Sequence, residues 1–183
     1  SVGLVRHNGR SEGILIHRED DPNNHNNHID LFLSPFMPSG DWKVELTTDS
    51  PTPIPFHAWI ERDDKGQSRF APEDTDCAYT LGSIACGKHT IAVGAYQALH
   101  PHQNPSPFTA EGPTQDGRLK PEVCAPGQLI NKRGGGILAA RSKSQGLTLK
   151  RGTSMAAPHV TGLIALLMQA APRKLHIQET RDL

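Results

Sequence analysis

The residues whose pattern most clearly suggests catalysis lie at positions 152–162, with the sequence Gly-Thr-Ser-Met-Ala-Ala-Pro-His-Val-Thr-Gly. This stretch places Ser154 at the predicted start of a helix, behind Gly152 and Thr153. A helix N-terminus offers unpaired N–H groups and a partial positive charge, which suit an oxyanion that forms beside the serine. Gly152 carries no side chain that would block a substrate backbone. An isolated serine at this place would nevertheless be an ordinary helix N-cap.

The complete stretch resembles the nucleophile segment of the subtilisin family, Gly-Thr-Ser-Met-Ala-x-Pro-His-Val-x-Gly. A pattern of this length is much more specific than a short motif. The resemblance implies that Ser154 is a catalytic nucleophile. It also implies that Gly152 and Thr153 complete the nucleophile and oxyanion motif, with the Ser154 N–H as one oxyanion donor.

A second stretch, residues 108–127, is similar to another family segment, Phe-Ser-Ser-x-Gly-Pro-Thr-x-Asp-Gly-Arg-x-Lys-Pro-Glu-x-x-Ala-Pro-Gly. Thr109 and Ala110 replace its two serines. Residues 90–95, Thr-Ile-Ala-Val-Gly-Ala, resemble the parallel strand that precedes this segment in the family. The resemblance therefore covers about residues 80–170. It implies a three-layer α/β fold with a parallel sheet, endopeptidase activity on protein or peptide substrates, and an acyl-enzyme intermediate.

The resemblance further implies a general base and an orienting acid that are not recognisable in this sequence. The family's triad runs Asp, His, Ser along the chain, with the base in a His-Gly-Thr type of segment. None of the ten histidines precedes Gly-Thr, and the family carries the histidine at the His159 position for packing. Asn8-Gly9 is the nearest imitation of the oxyanion-hole asparagine segment, but it is more typical of a turn.

The chain begins Ser1-Val2-Gly3, without Met or a signal peptide, which indicates an internal piece of a longer protein. We expect a missing N-terminal half to supply the Asp and the His, and we expect the chain alone to be inactive. The resemblance also predicts an unpaired edge of the remaining sheet and, from it, self-association, domain swapping or dependence on the missing N-terminal half. Localisation stays open.

The N-terminal part is predicted to be a small antiparallel β-sandwich. Short apolar or alternating runs separated by turn clusters indicate strands; these runs lie at residues 13–17, 29–33, 42–47 and 56–61. They resemble the jelly-roll-like insertion of some larger subtilases. We therefore predict two domains, an insertion with linker at 1–79 and the C-terminal half of a catalytic domain at 80–183.

The C-terminal part is predicted to contain a doubly buried strand and one strong helix. Residues 90–96 are almost continuously apolar, which is typical of a parallel strand. Further strands are predicted at 137–140 and 147–149. Apolar residues at helical spacing predict a helix from Thr153 to Ala170, and the polar tail at 173–183 is expected to fray or to continue into sequence beyond residue 183.

The sequence indicates neither a cofactor nor a highly charged partner such as nucleic acid. Lys plus Arg and Asp plus Glu both number 19, which gives no support for nucleic acid or an anionic membrane, and we expect neither. Free thiols are favoured over a Cys77–Cys86 disulfide. The run His25-Asn26-Asn27-His28 is interpreted as a solvated turn in preference to a metal site. No cofactor is evident, and no calcium loop is recognisable here, although some subtilases bind calcium.

Two alternative functions stay open. The predicted sandwich, with Trp42 and Trp59, could be a protein- or glycan-binding module. The parent protein could also be a non-catalytic pseudoenzyme, although the retained Ser154 argues against this.

Overall fold

The computed structural model describes residues 1–61, 66–129 and 135–182. The chain divides into two compact units, Ser1–Phe56 and His57–Leu183. Its strands and helices are β1 Val2–His7, β2 Arg10–Arg18, β3 His28–Leu33, β4 Val93–Gln97, β5 Val123–Gln128, β6 Ile137–Ala140, β7 Leu147–Lys150, α1 Thr153–Ala170 and α2 Ile177–Arg181. Two short 3-10 helices span Pro72–Asp74 and Ser83–Cys86.

The first unit contains one antiparallel sheet in the order β1-β2-β3. β1 and β2 form a hairpin whose turn residues, Asn8 and Gly9, have φ angles of 49° and 78°. Positive φ at both positions is the geometry for which Asn-Gly is favoured in tight hairpins. The interpretation of Asn8-Gly9 as a turn is therefore confirmed, as are the strands predicted at 13–17 and 29–33.

The strands predicted at residues 42–47 and 56–61 are absent, and this part of the prediction was wrong. The apolar side chains of the alternating pattern are not buried: Trp42 is 51% exposed and Val44 is 68% exposed. Alternation favours an extended chain, but a strand also needs a backbone partner, and the neighbouring segment 51–55 contains three prolines without N–H groups. The second sheet that a sandwich requires is thus not found among the described residues of this unit.

The second unit combines strands with a long helix. β4 and β5 pair in parallel, with Ala95 opposite Ala125, and β6 pairs with β7 as an antiparallel hairpin. Helix α1 packs on the parallel pair through Ala156, which is fully buried with Ala95 and Ala125. Small residues at this contact let the helix lie close to the strands. The parallel strand and the helix over 153–170 are confirmed, and the unit has an α/β architecture.

One edge of β4 is covered by the chain's own loop at residues 104–109. The Thr109 hydroxyl accepts a hydrogen bond from the Ala95 N–H (3.1 Å) and donates one to the Ala95 carbonyl (2.8 Å). The Ser106 N–H also donates to that carbonyl, and the Gln97 N–H donates to Asn104. Thr109, which replaces a serine of the family pattern, thus satisfies both backbone groups of Ala95 at this edge of β4.

The C-terminal tail does not fray as expected; it forms α2. The His176 side chain accepts from the Gln178 N–H, and the Glu179 carboxylate accepts from the His176 N–H (2.8 Å), which together cap the helix. Arg181 then anchors α2 by donating to the Thr90 carbonyl and to Glu122, each at 2.8 Å. The polar residues that predicted a frayed end therefore form the hydrogen bonds that order it.

Other expectations concern the cysteines, the domain boundary and membrane association. All three cysteines are free. The structural division falls after residue 56, and the boundary predicted after residue 79 stays a prediction. Within the described ranges, no helix has both the length and the apolar character that a membrane crossing requires.

Candidate active site

Ser154 is held at the amino end of α1, close to the carboxyl end of β5. Gly152 adopts φ 144° and ψ 164°, a conformation that L side chains rarely reach. Its N–H donates to the Gly127 carbonyl (3.0 Å), and its carbonyl accepts from Met155 (3.0 Å). The backbone just before Ser154 is therefore fixed to the sheet on one side and to the first helical turn on the other.

Gly127 allows this close approach because it lacks a side chain. A Cβ atom at position 127 would overlap the Cβ atom of Ala95 and would lie 2.9 Å from the Gly152 carbonyl oxygen. Both neighbours are rigid, since one is a β4 side chain without rotamers and the other is backbone. The position of the serine segment, residues 152–154, thus depends on a glycine that precedes Ser154 by 27 residues.

Ser154 itself is exposed to solvent. As a residue of the first helical turn, it presents an N–H group that has no acceptor within the helix. Within the part of the chain that the structure describes, no side chain forms a hydrogen bond with its hydroxyl. The serine is accessible and lies beside an unpaired N–H group, and acyl transfer requires both an accessible nucleophile and a donor for the oxyanion.

His159 does not activate Ser154 in this arrangement. Its Nδ1 atom lies 2.8 Å from the Met155 carbonyl oxygen, so the ring bonds to the backbone of its own helix. The residue is exposed rather than packed. This geometry agrees with the sequence-based exclusion of His159 as the base.

A small cavity of about 170 Å³ adjoins Thr153, the residue before Ser154. Thr153 forms one wall, and the segment before β4 forms another. The lining residues are mostly small and apolar: Leu81, Gly82, Ala85, Ala92, Val93, Gly94, Ala110, Pro121 and Thr153. The cavity has room for a few non-hydrogen atoms beside the serine segment.

An ion-paired turn supports one side of this cavity. Arg118 donates two hydrogen bonds to Asp116 (3.0 and 2.8 Å) and one to the Cys86 carbonyl (2.8 Å), at the end of the 3-10 helix Ser83–Cys86. The hydrogen bonds from Arg118 and Thr114 lower the pKa of Asp116 to about 2. The turn therefore keeps its charge pairing at any moderately acidic pH and holds the wall that contains Ala85.

A second charged cluster lies at the amino end of β4. Lys120 has a side chain only 1% exposed; its Nζ atom lies 2.6 Å from Glu122 and donates to the Thr90 carbonyl. Burial opposes ionisation of Glu122, but Lys120, the Ala92 N–H and Arg181 outweigh it and lower the pKa of Glu122 to about 2. The sequence contains Lys120 and Glu122 close together, but it does not indicate that Arg181 joins them, because 59 residues separate Arg181 from Glu122.

The two histidines considered as metal ligands each lie beside a neighbouring carboxylate. The His25 Nδ1 atom lies 2.7 Å from Asp20, and the His28 Nε2 atom lies 3.0 Å from Asp30. Among the residues that the structure describes, no group of three or more His, Cys, Asp or Glu side chains could hold a metal ion.

Comparison with known proteins identifies the class. The family model for the subtilase family matches residues 63–183, more than half of the chain, and the chain therefore belongs to the subtilase family. The resemblance seen in the sequence is thus confirmed. Membership in this family supports the interpretation of the chain as a fragment of the serine peptidase type.

Three curated proteins illustrate the similarity. Subtilisin-like protease SBT2.6 of Arabidopsis thaliana is 41% identical over 75 residues, covering 36% of this chain and 9% of that protein. Pyrolysin of Pyrococcus furiosus is 42% identical over 65 residues, covering 35% and 4%. The serine protease/ABC transporter B family protein tagD of Dictyostelium discoideum is 38% identical over 79 residues, covering 39% and 4%. The chain spans less than a tenth of the length of each of these relatives.

Proposed function

We propose that this chain is the nucleophile-bearing part of a serine endopeptidase that hydrolyses peptide bonds through an acyl-enzyme on Ser154. The observation that carries the proposal is the placement of an exposed serine at the amino end of α1, behind a glycine with φ 144°. Family membership supports the same chemistry.

The proposed reaction is acyl transfer in two steps. The Ser154 oxygen attacks the scissile carbonyl carbon while a histidine takes the hydroxyl proton, and the Ser154 N–H donates to the oxyanion. Collapse breaks the C–N bond, and the histidine returns the proton to the leaving amine. Water, deprotonated by the same histidine, then releases the second product and regenerates the serine.

The base and its orienting aspartate are proposed to come from sequence upstream of residue 1. Within the described residues, the Ser154 hydroxyl has no hydrogen-bonding histidine. Loss of triad members lowers turnover by factors on the order of a millionfold. The chain alone is therefore inactive in this proposal, and its activity belongs to the parent protein.

The same N-terminal half is proposed as the structural partner of this chain. Helix α1 exposes apolar side chains, among them Leu163 at 56% and Leu166 at 64%. A soluble α/β domain of three layers would cover such a face. In this proposal the parent contains the three-layer domain, and residues 1–79 form a sandwich-like insertion completed by other strands. Self-association of the isolated chain, and calcium binding elsewhere in the parent, are part of the same proposal.

The test is peptide hydrolysis by the parent protein. The wild-type parent is expected to cleave an unstructured protein substrate, and S154A is expected to abolish cleavage while it leaves folding unchanged. S142A is the matched control, because Ser142 is also exposed but lies in the β6–β7 loop. A correctly folded parent that shows no cleavage, or retained activity in S154A, would contradict the proposal. The first result would favour a pseudoenzyme.

A further inference from the structure

An exposed cluster of three aromatic rings lies in the second unit and has no role in the chemistry above. The ring of His57 stacks on Trp59, with centroids 5.6 Å apart and an interplanar angle of 24°. The same imidazole lies 4.6 Å from the ring of Tyr79. Trp59 is nevertheless 59% exposed, so a large part of the indole faces solvent.

Backbone contacts hold this cluster in place. The indole N–H of Trp59 donates to the Tyr79 carbonyl at 2.7 Å. Tyr79 has φ 58°, a conformation that is uncommon for a residue with a bulky side chain. The adjacent Thr80 fixes it, since its N–H donates to the Glu111 carbonyl (2.9 Å) and its hydroxyl accepts from the Glu111 N–H (2.9 Å). Rings fixed in this way lose little entropy when they bind a ligand.

The exposed chemistry of the cluster is that of an apolar ring surface. The N–H of Trp59 is already engaged with Tyr79, so the indole offers a ligand mainly its face and edge. Such surfaces bind proline rings and aromatic side chains through stacking and edge-to-face contacts. Tryptophan and tyrosine are also the residues that most often dominate the energy of peptide and protein interfaces.

The position of the cluster connects it to the serine segment. Tyr79 lies two residues before Leu81, which lines the small cavity. Two extended residues span at most about 7 Å. Thr153, the neighbour of Ser154, lines the same cavity. The backbone of Tyr79 is therefore at most about 7 Å from a residue that shares the cavity with the neighbour of Ser154, within reach of one extended peptide that occupies the cavity.

We propose that His57, Trp59 and Tyr79 form a subsite that binds a proline or aromatic side chain of an extended peptide substrate, several residues from the bond that is cleaved. This inference rests on the proposed peptidase function and specifies its substrate class. The subsite gives the enzyme a preference for ring-bearing side chains at a remote substrate position, in addition to whatever contacts select the residues at the scissile bond.

Peptide binding by the full chain tests the subsite without requiring catalysis. The S154A chain is titrated by calorimetry with blocked hexapeptides of alanine and serine that contain one phenylalanine, one proline or no ring. The ring-containing peptides are expected to bind about tenfold more tightly, as one favourable aromatic contact predicts. W59L, which keeps apolar bulk without the indole, is expected to remove this difference.

The second tryptophan provides a matched control. Trp42 is 51% exposed and also donates its indole N–H to a backbone carbonyl, that of Pro38, but it belongs to the first unit. W42L is expected to keep the full ring preference. In a W42F chain Trp59 is the single tryptophan, and its fluorescence is expected to change on addition of the phenylalanine peptide but not of the ring-free peptide.

The outcomes separate this inference from the proposed function. Equal binding of all peptides up to millimolar concentration, or a ring preference that survives W59L or is lost in W42L, overturns the subsite. Fluorophosphonate labelling of Ser154 in the parent protein is independent of Trp59. Labelling together with equal peptide binding leaves the peptidase standing without the subsite, whereas ring-dependent binding with no labelling identifies a peptide-binding site and contradicts the peptidase.

Discussion

Substitution of Gly127 by alanine is expected to destabilise the second unit through overpacking at the serine segment. The added methyl group would overlap Ala95 and approach the Gly152 carbonyl oxygen to 2.9 Å. Neither neighbour can rotate away, so β5 and the Gly152 backbone must separate. Overpacking in a rigid core costs about 1–3 kcal/mol, and a 2.9 Å contact with a carbonyl oxygen puts G127A in the upper part of that range.

Gly162 provides the matched control for the same chemical change. It lies inside α1, and a Cβ atom there would meet nothing within 4 Å. Alanine in a helix interior is favoured over glycine by about 0.8–1.0 kcal/mol. G162A is therefore expected to raise the free energy of unfolding by about 1 kcal/mol, while G127A lowers it.

Urea unfolding followed by far-UV circular dichroism measures both effects. The two variants are expected to differ by about 3–4 kcal/mol, with wild type between them. A free energy of unfolding for G127A within about 0.5 kcal/mol of wild type would refute the close packing of Gly127, Ala95 and Gly152. The same variant is also expected to slow labelling of Ser154 in the parent protein, since Gly127 holds the Gly152 backbone.

Three further predictions concern the serine segment and the charged cluster. G152A forces a side chain into φ 144°, so it is expected to cost at least about 1 kcal/mol in urea unfolding and to reduce Ser154 labelling; unchanged labelling would contradict the strained geometry. The lowered pKa of Glu122, about 2 against an ordinary value of 4.5, means that its contribution to stability is complete above pH 4.5 and is lost as the pH falls towards 2. E122Q is therefore expected to be less stable than wild type at pH 6, with a gap that closes near pH 2; a constant gap across this range, measured by urea unfolding, would argue against the ionised network. R181A is expected to release α2, seen as faster amide hydrogen exchange at residues 177–181 than in wild type, whereas R173A should leave the contacts of Arg181 with Glu122 intact.

Local patterns predicted the elements that hold Ser154 in place. The helical spacing of apolar residues after Thr153 and the continuous apolar run at 90–96 gave α1 and β4, because both signals arise from neighbours in sequence. The motif around Ser154 was long enough to identify the family.

Contacts between residues far apart in the chain could not be predicted from local sequence patterns. Helix α2 depends on Arg181, whose partner Glu122 lies 59 residues away, and on a histidine cap at His176 that is not among the usual N-cap residues. The tail therefore looked unstructured.

The strand prediction at 42–47 failed because a local pattern was present but its pairing partner was not. Its alternation is a genuine local signal, but a strand exists only with a hydrogen-bonded neighbour, which no local pattern supplies. The constraint at Gly127 was hidden for a related reason, since its meaning depends on where Gly152 and Ala95 lie in space.

The most direct test of the central claim is fluorophosphonate labelling of Ser154, with the adduct located by mass spectrometry. The chain alone and a mixture with the upstream part of its parent are compared, with S154A as control. Labelling of Ser154 in the mixture, at a rate far above that of the chain alone, is the predicted result, because a histidine from the upstream part would then activate the hydroxyl. Absence of labelling in a mixture that forms a folded complex would contradict the assignment of Ser154 as the nucleophile.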